Sequence, residues 1–455
     1  MSSCYLCGVL LDKSNSSVEH IIPNALGGNL KSRQLLCKKC NSDIGHQADS
    51  ELAKQLNFFA NMLNIRRDRG EPQEFKIKDE VSGIVYRCLP GGKPKRIEPE
   101  IITNNNQIVI KAPDKKIARQ LLNRSKKMYV DLDIEKVINE STKSREYINN
   151  WCGFKIAIGG AVAYKSVYKT ALDFYIYSGG NINIIRDTKQ ILFNENTVLD
   201  YVKPCYLNYE LIGKDVDEVL HSILIYGDRK LGKLYCYIEY FNAIKYIVLL
   251  SDNYAGETIN KFYIFNVLER KELSNPNINT NWYHNIDGIF ENLKLDSKQL
   301  EVSLENLLKV ISNKQHNEHV NQLIDEAWNS TMNMFELSEG DIITEAVYDK
   351  LIEKTVIDAE KHLEQLQEIR QADTARIKAL HEERAKVKAE LVDLHAERDA
   401  LQKDVEQLRA ERDQLRSEKE QLQDARDAIQ SEKDELATEV NEIRQDVQHI
   451  IKQFQ

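Results

Sequence analysis

The sequence predicts an α+β multidomain protein, on three observations. Two C-x-x-C pairs, Cys4-Cys7 and Cys37-Cys40, bracket a short segment near the start. Short β-like apolar runs recur between residues 108 and 267, and a seven-residue apolar repeat runs unbroken from Leu380 to Ile450. These divide the chain into a cysteine-pinned module over 1–70, a central α+β domain with a mostly antiparallel sheet over 71–335, a helical linker over 336–365 and a long α-helical coiled coil over 366–455.

Length and composition agree with that division. At 455 residues the chain exceeds one ordinary domain, and 42% apolar residues are enough for real cores. No apolar run reaches the ~20 residues of a membrane span. The opening MSSCYLCGVLLDKS lacks the basic region, apolar stretch and small-residue cleavage site of a secretory signal, which places the protein in the cytoplasm with no membrane partner. Of the eight cysteines four are paired, while Cys88, Cys152, Cys205 and Cys236 stand singly among apolar or aromatic neighbours. In a reducing compartment that reads as one metal site plus four packed thiols, disulfides being the competing reading. The net charge of −9 belongs to the tail: residues 356–455 carry 17 basic against 25 acidic side chains, whereas residues 1–70 carry nine against six.

Four thiolates in two knuckles complete a closed tetrahedral shell, so Cys4, Cys7, Cys37 and Cys40 are the predicted ligands of a structural zinc ion, Zn2+. The 29 residues between Cys7 and Cys37 exceed a minimal zinc ribbon and leave room for a hairpin. Within them lies Glu19-His20, and Asn41 directly follows the last cysteine. That supplies one potential general base and two oxygen donors suited to a harder cation. Phosphodiester hydrolysis needs an activated water, a cation on the scissile phosphate and stabilisation of the leaving 3′-oxygen. His20 is the only histidine between the knuckles, and imidazole titrates near neutrality. Glu19 offers a carboxylate to Mg2+ or Mn2+, and Asn41, opening a helix, offers a carbonyl oxygen from the opposite wall. Pro23 and Gly27-Gly28 supply a turn after the base-bearing strand. Leu52, Leu56, Phe59, Met62 and Leu63 then recur at helical spacing, and Arg66, Arg67, Arg69 and Gly70 stop that helix.

The stretch Cys4–Gly45, reading C-Y-L-C, V-E-H-I-I-P-N-A-L-G-G and L-L-C-K-K-C-N-S-D-I-G, resembles the HNH endonuclease family, within the ββα-metal (His-Me finger) nucleases. It is similar to the zinc-bearing variants that read E-H-I-I-P and C-x-x-C-N, and to phage junction-resolving nucleases. The resemblance implies a zinc-stapled ββα-metal fold, His20 as general base, and Glu19 and Asn41 as ligands of a catalytic Mg2+ or Mn2+. Two departures stand out. Many members carry an Asn-Leu pair before the second knuckle, whose Asn braces the base-bearing loop; here the position reads Ser32-Arg33, with Asn24 and Asn29 as available substitutes. Many also carry His or Lys shortly after C-x-x-C-N. Here His46 follows Ile44-Gly45, either as a third metal or phosphate contact or as a solvated helix residue. Asp43 and Asp49 read as surface or capping residues. Lys31, Arg33, Lys38, Lys39, Arg66, Arg67 and Arg69 are available to phosphates, although solvation explains each one singly.

In the central part, Ile108–Ile110, His221–Tyr226, Lys233–Tyr240, Lys245–Leu250 and Lys261–Val267 read as strands, with Phe241–Ile244 linking two of them as a hairpin. Lys115–Lys127 and Arg145–Tyr168 read as helices, the second with Gly159-Gly160 as a kink or close-packing point. Beyond residue 356 there is no Gly, Pro, Cys, Trp or Tyr. Leu380, Val387, Leu394, Leu401, Leu408, Leu415, Leu422, Ile429, Leu436, Ile443 and Ile450 keep a strict seven-residue step, the mark of a left-handed coiled coil. Acidic g positions such as Glu390, Glu397 and Glu411 face basic e positions such as Lys388, Arg409 and Arg416, which suits a parallel homodimer.

Together these readings describe a divalent-metal-dependent endonuclease, dimerised by its tail, acting on nucleic acid with DNA favoured over RNA. The central domain then senses a target, partner or ligand trigger, and the resemblance suggests anti-phage defence. Two other readings stand beside it: a non-catalytic zinc and coiled-coil scaffold binding nucleic acid or protein, and an RNA-cleaving nuclease.

Overall fold

The computed structural model describes residues 2–104, 107–125, 132–142, 148, 150, 152–185, 188–283, 286–338 and 340–453. They form two compact units, Met1–Ala359 and Glu360–Gln455.

The first unit is mixed α+β, with antiparallel sheets. It begins with a minimal hairpin, β1 (Glu19–His20) and β2 (Lys31–Ser32), then α1 (Lys38–Ile44), a wider π-helical turn over Gly45–Asp49, and α2 (Ser50–Met62). The apolar spacing of α2 buries Leu52, Leu56 and Phe59 on one side. The helix ends before the arginine cluster, where Asn64 takes a left-handed φ of 52°. The chain continues through β3 (Phe75–Asp79), β4 (Val85–Leu89), β5 (Lys93–Arg96), a separate hairpin of β6 (Glu100–Asn104) and β7 (Gln107–Lys111), helices α3 (Lys115–Ser125) and α4 (Ile134–Glu140), and β8 (Cys152–Gly153). Strands β5, β4, β3 and β8 form an antiparallel sheet in that order. Residues 126 and 127, expected to end α3, lie outside the described residues.

The helix expected over Arg145–Tyr168 is displaced. Of its first half, residues 145–147, 149 and 151 lie outside the described residues, and β8 occupies Cys152–Gly153. The helix, α5, spans Ala161–Tyr177. Gly159 and Gly160 have φ of 97° and 91°, which no right-handed helix admits, so the pair precedes the helix instead of kinking it. Gly159 is also held by Gln55 of α2, whose side chain accepts from its N–H at 2.8 Å and donates to its carbonyl at 2.9 Å.

After α6 (Thr188–Phe193) and α7 (Glu195–Val198) come β9 (Val202–Pro204), β10 (Leu220–Asp228), β11 (Lys233–Tyr240), β12 (Ile244–Ser251), β13 (Ile259–Asn266) and β14 (Lys271–Glu272). They form one antiparallel sheet in the order β14-β13-β10-β11-β12-β9. Its four long strands fall on the four longer predicted runs, and Ile108–Ile110 falls within β7. At the β11–β12 turn, Phe241 and Asn242 adopt φ of 54° and 60°. The Asn242 carboxamide secures that turn by accepting from Leu220 N–H at 2.8 Å. Both faces of this sheet are covered, which is why its strands read as nearly continuous apolar runs. Ile223, Ile225, Cys236 and Ile238 face a core with α5, and Leu224, Tyr235, Tyr237 and Ile264 face a second one with Trp282 and with Ile286 and Phe290 of α8 (Ile286–Asn292).

The cysteine module shares the first of those cores. Ile21, Leu26, Leu36, Leu52 and Phe59 belong to the same apolar cluster as Val167, Leu172, Ile223 and Ile238. A buried histidine adds a polar tie: His221 Nε2 donates to the Leu26 carbonyl at 2.8 Å, and Nδ1 accepts from Phe241 N–H at 3.3 Å. Burial pulls its pKa down to about 4, so it is neutral in the fold. The unfolded ring titrates near 6.5 and there binds the proton more readily. The stability held above pH 6.5 is therefore lost as pH falls through the window from about 6.5 to 4, by roughly 3 kcal/mol at most. His221→Gln is expected to flatten the dependence of unfolding free energy on pH in that window, as read by denaturant titrations at pH 7 and 5.

Helix α9 (Ser297–Met334) follows, and then α10, which is continuous from Glu345 to Gln453 over 109 residues. In the second unit the heptad positions Leu394, Leu401, Leu408, Leu415, Leu422, Ile429, Leu436, Ile443 and Ile450 are each more than half exposed. No helix among the described residues is long and apolar enough to cross a membrane.

Candidate active site

The four knuckle sulfurs converge as expected. All lie within 4.8 Å of one another, with Cys7 Sγ and Cys37 Sγ at 3.8 Å. A tetrahedral zinc with Zn–S bonds of about 2.3 Å separates its sulfurs by about 3.8 Å, whereas a disulfide needs about 2.05 Å. The donor set therefore fits zinc, and all eight cysteines are free. Burial, and then its sulfur neighbours, push the Cys40 thiol up, a cost that a metal cation removes by taking the thiolates as ligands. Among the described residues this is the one cluster of three or more His, Cys, Asp or Glu groups with ligand atoms close enough to hold an ion.

Between the knuckles, β1 presents Glu19 inward and His20 toward the surface, as strand alternation requires. The turn that follows is tight. Gly27 has a φ of 88°, and a Cβ on Gly28 would stand 1.9 Å from the Ile22 carbonyl oxygen, so neither glycine is replaceable without moving backbone. Glu19, His20 and Asn41 line one cavity of about 310 Å³, together with Asp49, Asn57 and Arg67. Asn41 leaves α1 toward this cavity, donating to Ser17 Oγ at 2.7 Å and hydrogen-bonding the Glu19 carboxylate.

Three sets of contacts complete the site, the second of them made by the two asparagines the sequence offered as braces. First, His20 Nε2 lies 2.9 Å from Asp68 Oδ2. Lys31 Nζ reaches the same oxygen at 2.5 Å, and Arg270 Nη2 lies 3.6 Å from Oδ1. The hydrogen bonds from Lys31 and His20 hold the Asp68 carboxyl down at about 2, so it is ionised. Second, Asn24 accepts from Asp68 N–H at 3.0 Å, and Asn29 accepts from Arg270 at 3.1 Å. Both asparagines thus support the carboxylate that holds His20, while Ser32, at the usual bracing position, accepts only from Gln34 N–H. Third, Lys169 of α5 enters from the central part of the chain. Its ammonium is hydrogen-bonded to Glu19 and to Asp49 Oδ2 at 3.0 Å, with Asp173 Oδ2 at 3.6 Å. Ser166, on the same side of α5, donates to Asp49 Oδ1 at 2.5 Å. Burial pushes the Glu19 carboxyl up while Lys169 pulls it back, and burial pushes Asp173 up to about 8. Burial works against the Lys169 proton too, but the surrounding carboxylates outweigh it and the ammonium stays charged.

Of the remaining predicted residues, Asp49 and Arg67 join the cavity and the other described ones do not line it. Asp43 is exposed, whereas Asp49 turns inward to Lys169 and Ser166 instead of capping. His46 falls in the Gly45–Asp49 turn, and its side chain lies outside what the structure describes. Arg33, Lys39, Arg66 and Arg69 are solvated, and Lys38 donates to the Ser14 carbonyl. Arg67 differs from them. It is half-buried at the cavity, burial lowers its pKa, and its Nε is out of water with no hydrogen-bond partner.

Residues 4–57 match the HNH endonuclease family model. The cysteine cluster fits the zinc-binding form of that HNH module. The match ends within α2, so Asp68, Lys169, His221 and Arg270 all lie beyond it. No curated protein and no solved structure matches the chain. One signal in the sequence did point to Lys169: Lys165, Lys169 and Asp173 recur at four-residue steps through an otherwise apolar helix, a polar stripe that the core tolerates only when paired.

Proposed function

We propose that this protein is a divalent-metal-dependent endonuclease that hydrolyses phosphodiester bonds, with DNA favoured over RNA. The observation that carries the reading is the meeting of Glu19, His20 and Asn41 in one cavity of an HNH module. His20 donates its Nε2 proton to ionised Asp68, which leaves Nδ1 as the acceptor for the proton of an attacking water. The oxygen donors Glu19 and Asn41 suit Mg2+ or Mn2+, with waters and a phosphate oxygen filling the shell. When bound, that cation supplies charge neutralisation at the scissile phosphate and the leaving oxygen. Arg67, half-buried at the cavity with its Nε unpartnered, is placed to meet the phosphate's negative charge. His46 stays a candidate further contact.

The exposed heptad stripe of α10 supports association with a second copy of the chain, since leucines at this spacing bury each other in a parallel pair. A dimer carries two active sites, one for each strand of a duplex. Light scattering on the full chain is expected to give the mass of two chains. Leu408→Lys with Leu415→Lys is expected to return it to one, and an unchanged mass removes this seam from assembly. The resemblance extends the proposal to cytoplasmic anti-phage defence, with the central sheet as the sensing element.

The function is tested by incubating the full chain with supercoiled plasmid, labelled duplex, single-stranded DNA and RNA, with Mg2+ or Mn2+. Nicked or linear plasmid dependent on the added cation is expected. Faster cutting of RNA transfers the activity to that substrate, and tight DNA binding without cation-stimulated cleavage makes the protein a scaffold.

A further inference from the structure

Lys169 lies 112 residues past the end of the HNH match, yet its side chain is 2% exposed inside the site. Burying an ammonium is costly unless charged and hydrogen-bonded partners compensate for its lost water. Here the ammonium can donate three hydrogen bonds and has three carboxyl groups around it, those of Glu19, Asp49 and Asp173. Two of them, Glu19 and Asp49, belong to the module and line its cavity. Without a cation between them they would face each other as like charges, Glu19 buried and Asp49 partly so. With Lys169 there, both are drawn to the same wall, Glu19 and Asp49 Oδ2 by the ammonium and Asp49 Oδ1 by Ser166.

What converges near that wall is a set of oxygens. The Glu19 carboxylate is also hydrogen-bonded to Asn41. Asn41 Oδ1 and Asp49 Oδ2 both overhang Gly45, at 3.7 and 3.5 Å from where a Cβ on that residue would stand. Ser166 fixes Asp49 from the same side of α5 that carries Lys169. One helix from beyond the module thus orients both carboxylates that border its cavity.

We propose that Lys169 is a positioning residue of the divalent-cation site, so that the HNH module's seat for Mg2+ or Mn2+ is assembled only with α5 in place. This rests on the reading of Glu19 as a ligand of that cation. It makes the central part of the chain a component of the active site, since the residue that sets the ligand's rotamer comes from there. Partners that orient metal ligands from behind typically contribute about 10–100-fold to metal affinity, and that is the effect expected of Lys169.

The test is Mn2+ binding to the full chain without nucleic acid, followed by the electron paramagnetic resonance of free Mn2+, with zinc content and melting temperature measured in parallel. Lys169→Met is expected to raise the Mn2+ concentration at half-saturation by about 10–100-fold with zinc retained. Its cleavage rate is expected to recover toward that of the unmodified chain as Mn2+ is raised, which a collapsed site would not allow. Unchanged half-saturation overturns the proposal. So does tighter binding, which would mean that Lys169 competes with the cation for Glu19. Should Lys169→Met lower zinc content or melting, Ser166→Ala provides the milder reading. It frees Asp49 Oδ1 while keeping the buried charge, and is expected to weaken Mn2+ binding in the same direction, no shift again overturning the proposal. Glu19→Gln separates the two levels. Mn2+ binding indifferent to it refutes Glu19 as a ligand, whereas binding sensitive to it but indifferent to Lys169→Met refutes only the role of Lys169.

Discussion

His20→Ala is expected to lower cation-dependent cleavage by about 10²–10⁴-fold, the usual contribution of a positioned general base, while leaving zinc content and melting temperature close to those of the unmodified chain. The two halves of that expectation have separate physical grounds. The loss follows from geometry: with Nε2 hydrogen-bonded to Asp68 at 2.9 Å, Nδ1 is the nitrogen left to take a proton, and no other histidine lies between the knuckles to replace it. The retained fold follows from exposure. The side chains of His20 and Asp68 are 20% and 27% exposed, and ion pairs so near solvent contribute only about 0–1 kcal/mol. Asp68 also keeps Lys31 when the ring is gone. Plasmid nicking measured at saturating Mn2+ reads the first half, and zinc analysis with a thermal melt reads the second. Cutting that persists unchanged would take His20 out of the mechanism, and a joint loss of zinc and melting would make it a structural residue.

The parts of this site that could be read from the sequence are those encoded by local spacing. Two C-x-x-C pairs, an adjacent Glu-His and an Asn after the last cysteine sit close along the chain, and the structure brings them around one small module. The strands were legible for the same reason, since runs such as Lys233–Tyr240 declare themselves residue by residue, and so was the seven-residue step of the tail. What escaped was every contact made across a large separation. Lys169 meets Glu19 across 150 residues and His221 meets Leu26 across 195, and no periodicity relates such pairs. Asp68 was hidden differently, among Arg66, Arg67 and Arg69, where a run of charge reads as a helix stop and its one acid as incidental. The predicted helix ends at Tyr168, one residue short of Lys169, and encloses Gly159-Gly160, whereas their φ of 97° and 91° place the pair before the helix. Asp49 reads from the sequence as a surface or capping residue because the wider turn over Gly45–Asp49 leaves no mark in composition.

Removing the zinc, by chelation or by Cys37→Ser, is expected to abolish cleavage in a way that excess Mg2+ cannot restore, and to unfold the knuckles without unfolding the central sheet. The hairpin that carries Glu19 and His20 pairs over only two residues, and an isolated pair of strands is marginal in water even when longer. Cys37 matters twice, as a sulfur of the cluster and as the cap that accepts Cys40 N–H at the start of α1. Structural zinc contributes about 10–16 kcal/mol of apparent binding free energy in zinc-finger peptides, as much as the whole stability of an ordinary domain, about 5–15 kcal/mol. A hairpin this short has nothing of that size to put in its place. The loss stays local because Ile21, Leu26 and Leu52 remain docked in the core shared with α5 and the six-stranded sheet. Hydrogen exchange is therefore expected to accelerate over residues 2–20 and 31–41 while β10 to β13 keep their protection. Exchange that accelerates through the sheet as well would mean that the zinc supports the entire first unit, and unaltered cutting by the stripped protein would mean that the core alone positions His20.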